Sequence, residues 1–137
     1  MDKKLQSYLK DIEVEDELTI KDSLIKDVRD NLNILFPLDY LEVIRKYNGG
    51  EGEIGNESYL KLFPFEELIE INNDYLDLMN EIPDYLLFGK NAADTGYAFH
   101  KTAHSYHSFG LMSNFQTDPI IFCGNTFLEF VEYLYNK

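Results

Sequence analysis

Three histidines within eight residues are the side chains whose type and spacing best suit a chemical site. They are His100, His104 and His107. Imidazole nitrogens bind zinc and iron, and Asp94 or Asp118 could add a carboxylate ligand. Steps of four and three residues would bring the three rings to one face of an α-helix. These residues make a small His-based metalloenzyme one of the functions that the sequence leaves open.

The sequence around the histidines favours strands, and this weakens the metal-site interpretation. Glycines flank the histidines on both sides, and residues 97–99 (Tyr-Ala-Phe) are typical of a strand. On a hairpin, His100 and His107 would face each other across a turn, with His104 at its tip. The sequence shows no outer set of side chains to orient them as ligands. We therefore expect partly exposed loop histidines, no bound metal and no cofactor.

Other catalytic patterns are absent from the sequence. Cys123 ends an apolar run and is expected to be a buried packing residue, and a single cysteine cannot form an internal disulfide. The glycine-rich residues 48–52 lack the lysine and hydroxyl side chains of a phosphate-binding loop. The first residues do not resemble a signal peptide, and no apolar run is long enough to span a membrane. We therefore predict a cytoplasmic protein that is not an enzyme.

The elements that position these residues can be predicted from hydrophobic spacing. Apolar residues recur at helical intervals near residues 5–12, 20–32 and 37–47, which predicts three short helices. Thr19 is suited to cap the second of them, and the acidic residues 13–17 would connect the first two.

The second half of the chain changes to short apolar runs that are typical of strands. A helix after Phe65, broken near Asn72, and a closing helix with a capping box at Thr126 and Glu129 interrupt these runs. This order indicates a single α+β domain over residues 1–137, with a mainly antiparallel sheet of about four to six strands flanked by helices. The strands 85–88 and 97–100 are expected to form a hairpin. The predicted strands are 58–63, 85–88, 97–100, 108–112 and 119–123.

Net charge is the strongest global feature of the sequence. Twenty-five acidic and twelve basic residues give a formal charge of −13. Residues 51–89 contain ten acidic residues and one base, Lys61, and therefore −9 of that −13. Such a field repels nucleic-acid phosphates and anionic membranes, and it accelerates encounter with a basic protein. We thus expect no direct binding of nucleic acid or membrane, and a basic protein partner. The residues predicted to contact it are Glu51, Glu53, Glu57, Glu66, Glu67, Glu70, Asp74 and Asp77.

Residues 36–52 carry a distinctive pattern. Pro37 would open a helix, Tyr40 would lie on its apolar side, and Asn48-Gly49-Gly50 would end it with residues that tolerate positive φ. This pattern resembles the signature of the SUKH superfamily, which includes the Smi/Knr cell-wall-assembly regulators and many bacterial toxin-immunity proteins. The resemblance covers about residues 18–137. Segments that follow in the order expected for the family are 60–68, 88–89, 96–99 and 126–130.

The resemblance implies a non-enzymatic immunity protein that binds and neutralises a cognate polymorphic toxin, often a nuclease. An acidic protein suits this role, because a nuclease needs a basic cleft that complementary charge can occupy. Residues 91–95 replace a turn that is more glycine-rich in the family, and His100 stands where an acidic residue is common. A general intracellular adaptor or regulator is the alternative, and the oligomeric state stays open.

Overall fold

A computed structural model describes residues 1–15 and 19–137, so residues 16 and 17 of the predicted acidic connection lie outside the described part. In chain order the described elements are α1 (Lys3–Tyr8), α2 (Asp22–Leu32), α3 (Leu38–Tyr47), β1 (Glu51–Ile54), β2 (Ser58–Leu62), the 3₁₀ helix η1 (Phe65–Glu67), α4 (Leu68–Asp74), α5 (Leu76–Met79), β3 (Tyr85–Lys90), β4 (Thr95–His100), β5 (Tyr106–Gly110), β6 (Ile121–Gly124) and α6 (Phe127–Tyr135).

The six strands form one antiparallel sheet in which each strand pairs with the next along the chain, in the order β1-β2-β3-β4-β5-β6. The predicted α+β class and the predicted hairpin, formed by β3 and β4, are confirmed. The sequence did not predict β1. Its residues, Glu-Gly-Glu-Ile, contain one apolar side chain, and they become a strand because Gly55, at φ 68°, turns the chain back so that β1 pairs with β2.

The core lies between one face of this sheet and the helices, and aromatic rings form its centre. Phe88 on β3 is fully buried at its centre. The centroid of its ring lies 5.5–6.2 Å from those of five other rings, which come from α3, β4, β5 and α6. Several of these pairs are edge-to-face, the geometry that aromatic quadrupoles favour. The five rings are those of Tyr40, Phe99, Tyr106, Phe127 and Phe130.

One carboxylate joins three elements at the edge of this core. Asp39 Oδ1 accepts a hydrogen bond from the Tyr106 hydroxyl at 2.7 Å, and Asp39 Oδ2 accepts one from the backbone N–H of Phe127 at 2.6 Å. The second bond satisfies an amide in the first turn of α6 that has no partner within its own helix. Thr126 caps the same turn by accepting from Glu129 N at 3.1 Å, as the sequence predicted. Asp39 thereby ties α3 to β5 and α6.

Helix α3 differs from its prediction in its first residue and in the exposure of Leu38. It begins at Leu38, so Pro37 precedes the first helical residue instead of occupying it. Tyr40 lies on the buried side, as the sequence predicted, and Val43 and Ile44 are also completely buried. Leu38 is apolar and belongs to the same helix, but it is 83% exposed because it lies away from the aromatic rings that pack on Tyr40.

Two other helix boundaries also differ from the prediction. Helix α2 begins at Asp22 and follows Lys21, so Thr19 does not cap it. The break between α4 and α5 falls at Tyr75 and not at Asn72. Among the described residues, no helix is long and apolar enough to cross a membrane.

The buried side chain of Asn72, within α4, takes the place of a missing strand. Strand β2 pairs with β3 only at Lys61 and Leu62, which leaves the start of β3 without that neighbour. Asn72 Nδ2 donates to the carbonyl oxygens of Leu68 and Leu87, both at 2.9 Å, and Leu87 N donates to Asn72 Oδ1 at 3.1 Å. A buried backbone amide and carbonyl are satisfied in this way.

We expect Asp39→Asn to lower the free energy of unfolding by about 2 kcal/mol, because one carboxylate oxygen becomes an NH₂ group that cannot accept a bond from Phe127 N or from Tyr106. Urea denaturation measures the change. Asp22→Asn is the matched control: its carboxylate pairs with Arg45 at 2.9 Å but is exposed, so we expect a loss below about 0.5 kcal/mol. Equal losses in the two variants would contradict the role given to Asp39.

Candidate functional site

Asn48 connects the end of α3 to the segment that follows β2. It is buried, its Oδ1 accepts the backbone N–H of Phe65 at 2.7 Å, and its Nδ2 donates to Glu66 Oε2 at 2.9 Å. Gly49 follows at φ 72°, and a Cβ there would lie 3.3 Å from Cγ of Pro64. The Asn-Gly part of the motif therefore both ends the helix and fixes the position of η1.

The region around Asn48 forms an acidic cleft of about 480 Å³. Its lining comes from the segment before α2, the end of α3, strands β1 and β2, and the helices η1 and α4. Six carboxylates and one lysine, Lys61, supply its charge, and four partly or fully apolar side chains supply the rest of its wall. The carboxylates are Glu13, Glu15, Glu51, Glu66, Glu67 and Asp74, and the other four residues are Phe63, Pro64, Ile71 and Tyr75.

An adjoining recess of about 380 Å³ extends the acidic surface along β1. The recess shares three carboxylates with the cleft, and it adds those of Asp11 and Glu53. The Tyr59 hydroxyl donates to Glu51 Oε2 at 2.8 Å in this recess. That bond raises the pKa of Tyr59, and burial and the nearby charges of Glu13 and Glu53 raise it further.

The cleft carries uncompensated negative charge. Within residues 1–15 and 19–137, the ion pairs shorter than 4 Å involve Glu42, Glu132, Asp30 and Asp22, and none of these residues lines the cleft. Glu13 also lies directly opposite Glu51 in an antiparallel bridge, held by two backbone hydrogen bonds of 3.0 Å. Like charges in this arrangement repel, so a positive group that enters the cleft relieves an existing repulsion.

The structure brings together five of the eight acidic residues that the sequence singled out. Four line the cleft, and Glu53 lines the adjoining recess. Glu57, in the turn after β1, lines a separate recess of about 230 Å³, and Glu70 and Asp77 are exposed outside all three. A role in partner binding stays a prediction for all eight. The four in the cleft are Glu51, Glu66, Glu67 and Asp74.

Sequence reasoning missed the acidic residues of the N-terminal segment, Asp11, Glu13 and Glu15. They precede the strongly acidic stretch by almost forty residues, and only the antiparallel bridge to β1 brings them beside it. Their acidic run was the available signal, but nothing in the sequence specified the bridge, because β1 itself was not predicted.

The prediction of three loop histidines is wrong for two of them. His100 lies on β4 and His107 on β5, where His107 is buried and pairs with Ala98 instead of facing His100. His104 does lie in the turn, at φ 59°, with its Nε2 3.0 Å from the carbonyl oxygen of Leu35. Within the described ranges, no group of three or more His, Cys, Asp or Glu residues is placed to hold a metal ion.

His107 belongs to an aromatic cluster on the sheet face opposite the main core. Its ring centroid lies 5.0 Å from that of Tyr85 and 5.6 Å from that of Phe122, and its Nε2 lies 2.8 Å from Ser105 Oγ. Burial lowers the pKa of His107, and the nearby His100 lowers it further. Cys123 is buried as predicted, and burial raises the pKa of its thiol.

Tyr40, the motif aromatic, is the residue whose buried polar atom has no hydrogen-bond partner in the described structure. Burial raises the pKa of its hydroxyl, and the charge of Glu66 raises it further. The ring is completely buried and stacks with Phe36 at a centroid distance of 5.9 Å. Tyr40 therefore acts mainly as a packing residue beneath the cleft.

Comparison with known families gives a match that spans most of the chain. The model described as "SMI1 / KNR4 family (SUKH-1)" matches residues 19–133. The matched range contains α3, the Asn48 motif and the η1–α4 wall of the cleft, whereas Glu13 and Glu15 precede it. Comparison with curated proteins finds no match.

We expect Asn48→Ala to lower the free energy of unfolding by about 2 kcal/mol, because the buried N–H of Phe65 loses its acceptor. Urea denaturation measures this change. Asn73→Ala is the control, since Asn73 is exposed on α4, and we expect it to change stability by less than about 0.5 kcal/mol. A loss for Asn48→Ala no larger than that for Asn73→Ala would show that the motif does not anchor η1.

We expect the free energy of unfolding to decrease as the pH falls below about 6.5, because of His107. Its folded pKa lies below the ordinary value of 6.5, so the unfolded chain binds more protons as the pH drops below 6.5, and unfolding becomes easier. His107→Gln removes this contribution. The free energy of unfolding of the parent protein should therefore decrease more than that of the variant between about pH 7 and pH 5. If the free energy of unfolding decreases equally in the two proteins as the pH falls, this role of His107 is ruled out.

Proposed function

The chain belongs to the SMI1 / KNR4 family (SUKH-1), and on that premise we propose that it is a non-catalytic immunity protein whose acidic cleft binds a basic surface of a cognate toxin. The observation that carries the proposal is the convergence of six carboxylates and a single lysine on one cleft, with no short ion pair to neutralise those carboxylates within the described residues. A surface of this kind is complementary to clustered lysine and arginine side chains.

A nuclease toxin fits this surface by its chemistry. An enzyme that cleaves nucleic acid must bind phosphates and therefore presents basic residues around its active site. A protein that places carboxylates against those residues occupies the position of the substrate, and the opposite fields of the two proteins speed their encounter. The proposal includes a cytoplasmic location, because the nucleic acid that such a toxin attacks is there.

The walls of the cleft favour arginine among the basic side chains. Tyr75 and Ile71 are half-buried beside the carboxylates of Glu67 and Asp74, so flat apolar surface and acceptor oxygens occur together. A guanidinium group stacks on aromatic surface and binds carboxylate oxygens with two parallel N–H donors, whereas an ammonium group is a compact and strongly hydrated charge. We infer that the partner inserts an arginine-bearing loop.

The biological test uses the toxin domain encoded beside the gene for this chain. Co-expression should restore the growth of cells that express the toxin, and the two purified proteins should form a stoichiometric complex. Absence of both rescue and binding for every neighbouring toxin domain would overturn the proposed function.

The kinetic test asks whether the cleft itself is the binding surface. We expect the triple variant Glu13→Lys, Glu67→Lys and Asp74→Lys to slow association by about tenfold at low salt and to weaken its dependence on ionic strength. These three carboxylates line the cleft and make no side-chain hydrogen bond in the described structure, so the changes spare the fold. Stopped-flow measurement of the association rate across a salt series gives the result.

The matched control changes net charge equally at carboxylates of the same acidic stretch that do not line the cleft. We expect Asp77→Lys, Glu81→Lys and Asp84→Lys to affect the association rate much less. If both triple variants slow association to the same extent, steering comes from total charge and the cleft is not the binding surface.

A further inference from the structure

Residues 11–15 (Asp-Ile-Glu-Val-Glu) lie along the outer side of β1, and few contacts hold them there. In the described part of the chain, two backbone hydrogen bonds join this segment to β1, and both run between Glu13 and Glu51. The chain just before the segment is held more firmly, because Leu9 is buried and α1 packs on α6. The segment is therefore fixed at its start and only weakly attached along β1.

The segment and β1 fit each other in shape. Ile12 and Val14, the two apolar residues of the segment, lie against glycines of the facing chain. A Cβ at Gly50 would lie 2.7 Å from Cγ2 of Ile12 and 3.2 Å from Cγ2 of Val14. A Cβ at Gly52 would overlap the backbone of the segment. The absence of side chains at these two positions therefore lets the segment lie close to the sheet.

The charges of the segment and β1 do not match. Glu13 lies directly opposite Glu51, and the same antiparallel register places Asp11 opposite Glu53. All four carboxylates line the recess beside the cleft. Like charges directly opposite each other in an antiparallel pair are destabilising. The segment therefore has a shape that suits β1 and a charge that weakens its attachment.

We propose that residues 11–15 act as a latch on one wall of the cleft, which opens in the free chain and is closed by a bound basic partner. A positive group meets the carboxylates of both Glu13 and Glu51 when the latch is closed, and only that of Glu51 when it is open. A ligand that binds one state more tightly shifts the equilibrium toward that state. The role of the partner rests on the proposed function, whereas the opening of the latch in the free chain does not.

Hydrogen exchange of the free chain, followed by NMR, tests the opening of the latch. The amide of Glu51 donates to the carbonyl oxygen of Glu13 at 3.0 Å, so its exchange reports the latch. The amide of Leu62 donates to the carbonyl oxygen of Gly50 at 2.8 Å, so its exchange reports the hairpin of β1 and β2. We expect the protection factor of Glu51 to be at least about tenfold lower than that of Leu62. Equal protection would overturn the proposal, because the latch would then open only together with the hairpin.

A charge variant tests whether repulsion weakens the latch. Glu13→Lys places an opposite charge across from Glu51, so we expect it to raise the protection factor of the unchanged Glu51 amide about threefold. Glu57→Lys is the matched control, since it makes the same change of charge in the turn after β1 and outside the cleft. It should leave the protection of Glu51 nearly unchanged. No increase in Glu13→Lys, or an equal increase in both variants, would overturn the proposal.

A hexa-arginine peptide serves as the probe for closure of the latch. At saturation it should raise the protection factor of Glu51 in the parent protein, and it should do so less in Glu13→Gln, which lacks one of the two facing carboxylates. Failure of the peptide to bind, or binding without a change at Glu51, would overturn closure by a basic ligand.

The same measurement with the neighbouring toxin domain separates the latch from the proposed function. Rescue and binding by the toxin without increased protection of Glu51 would refute the latch and leave the proposed function standing. A latch that responds to charge and to the peptide, in a chain that binds no neighbouring toxin domain, would support the latch and refute the proposed function.

Discussion

The side-chain amide of Asn48 is the constraint on which the site depends. An amide can accept and donate at the same time, and here the acceptor holds the backbone of η1 while the donor holds the Glu66 carboxylate. Aspartate at this position would keep the first bond and repel Glu66, and a hydroxyl side chain is too short to reach both groups. Gly49 then removes the steric barrier to the turn beside Pro64. One short motif therefore fixes the angle between α3 and the acidic wall.

The overall architecture could be predicted from sequence because it depends on local patterns. Strands β2 to β6 have apolar runs bounded by turn residues, and α6 has its capping residue Thr126, so each of them occurs within a few residues of its predicted position. Strand β1 has no such pattern, because it contains a single apolar side chain, and it is held by the turn at Gly55 and by the distant bridge to Glu13. The buried side of α3 was predicted at Tyr40, but the limit of that side, which leaves Leu38 exposed, depends on rings that are distant in sequence, such as Phe88 and Phe99.

The site was only partly accessible to sequence reasoning for the same reason. The acidic stretch identified the correct region, but a run of like charges does not say which members converge, and Glu57, Glu70 and Asp77 point elsewhere. The sequence did not indicate the role of Asp39 in joining α3 to β5 and α6, because its partners, Tyr106 and Phe127, follow it by 67 and 88 residues. The histidines gave a misleading indication, since the rings of His100 and His107 both pack on Tyr85, and Nε2 of His104 lies instead near the carbonyl oxygen of Leu35.

The side chain of Asn72 has a mechanical consequence. Its bond to Leu68 stays within α4, whereas its other two bonds join α4 to both backbone polar groups of Leu87, so α4 cannot slide along the sheet without breaking these two. The α4 wall of the cleft is therefore fixed to strand β3. If the cleft binds a partner as proposed, this wall loses little conformational entropy on binding.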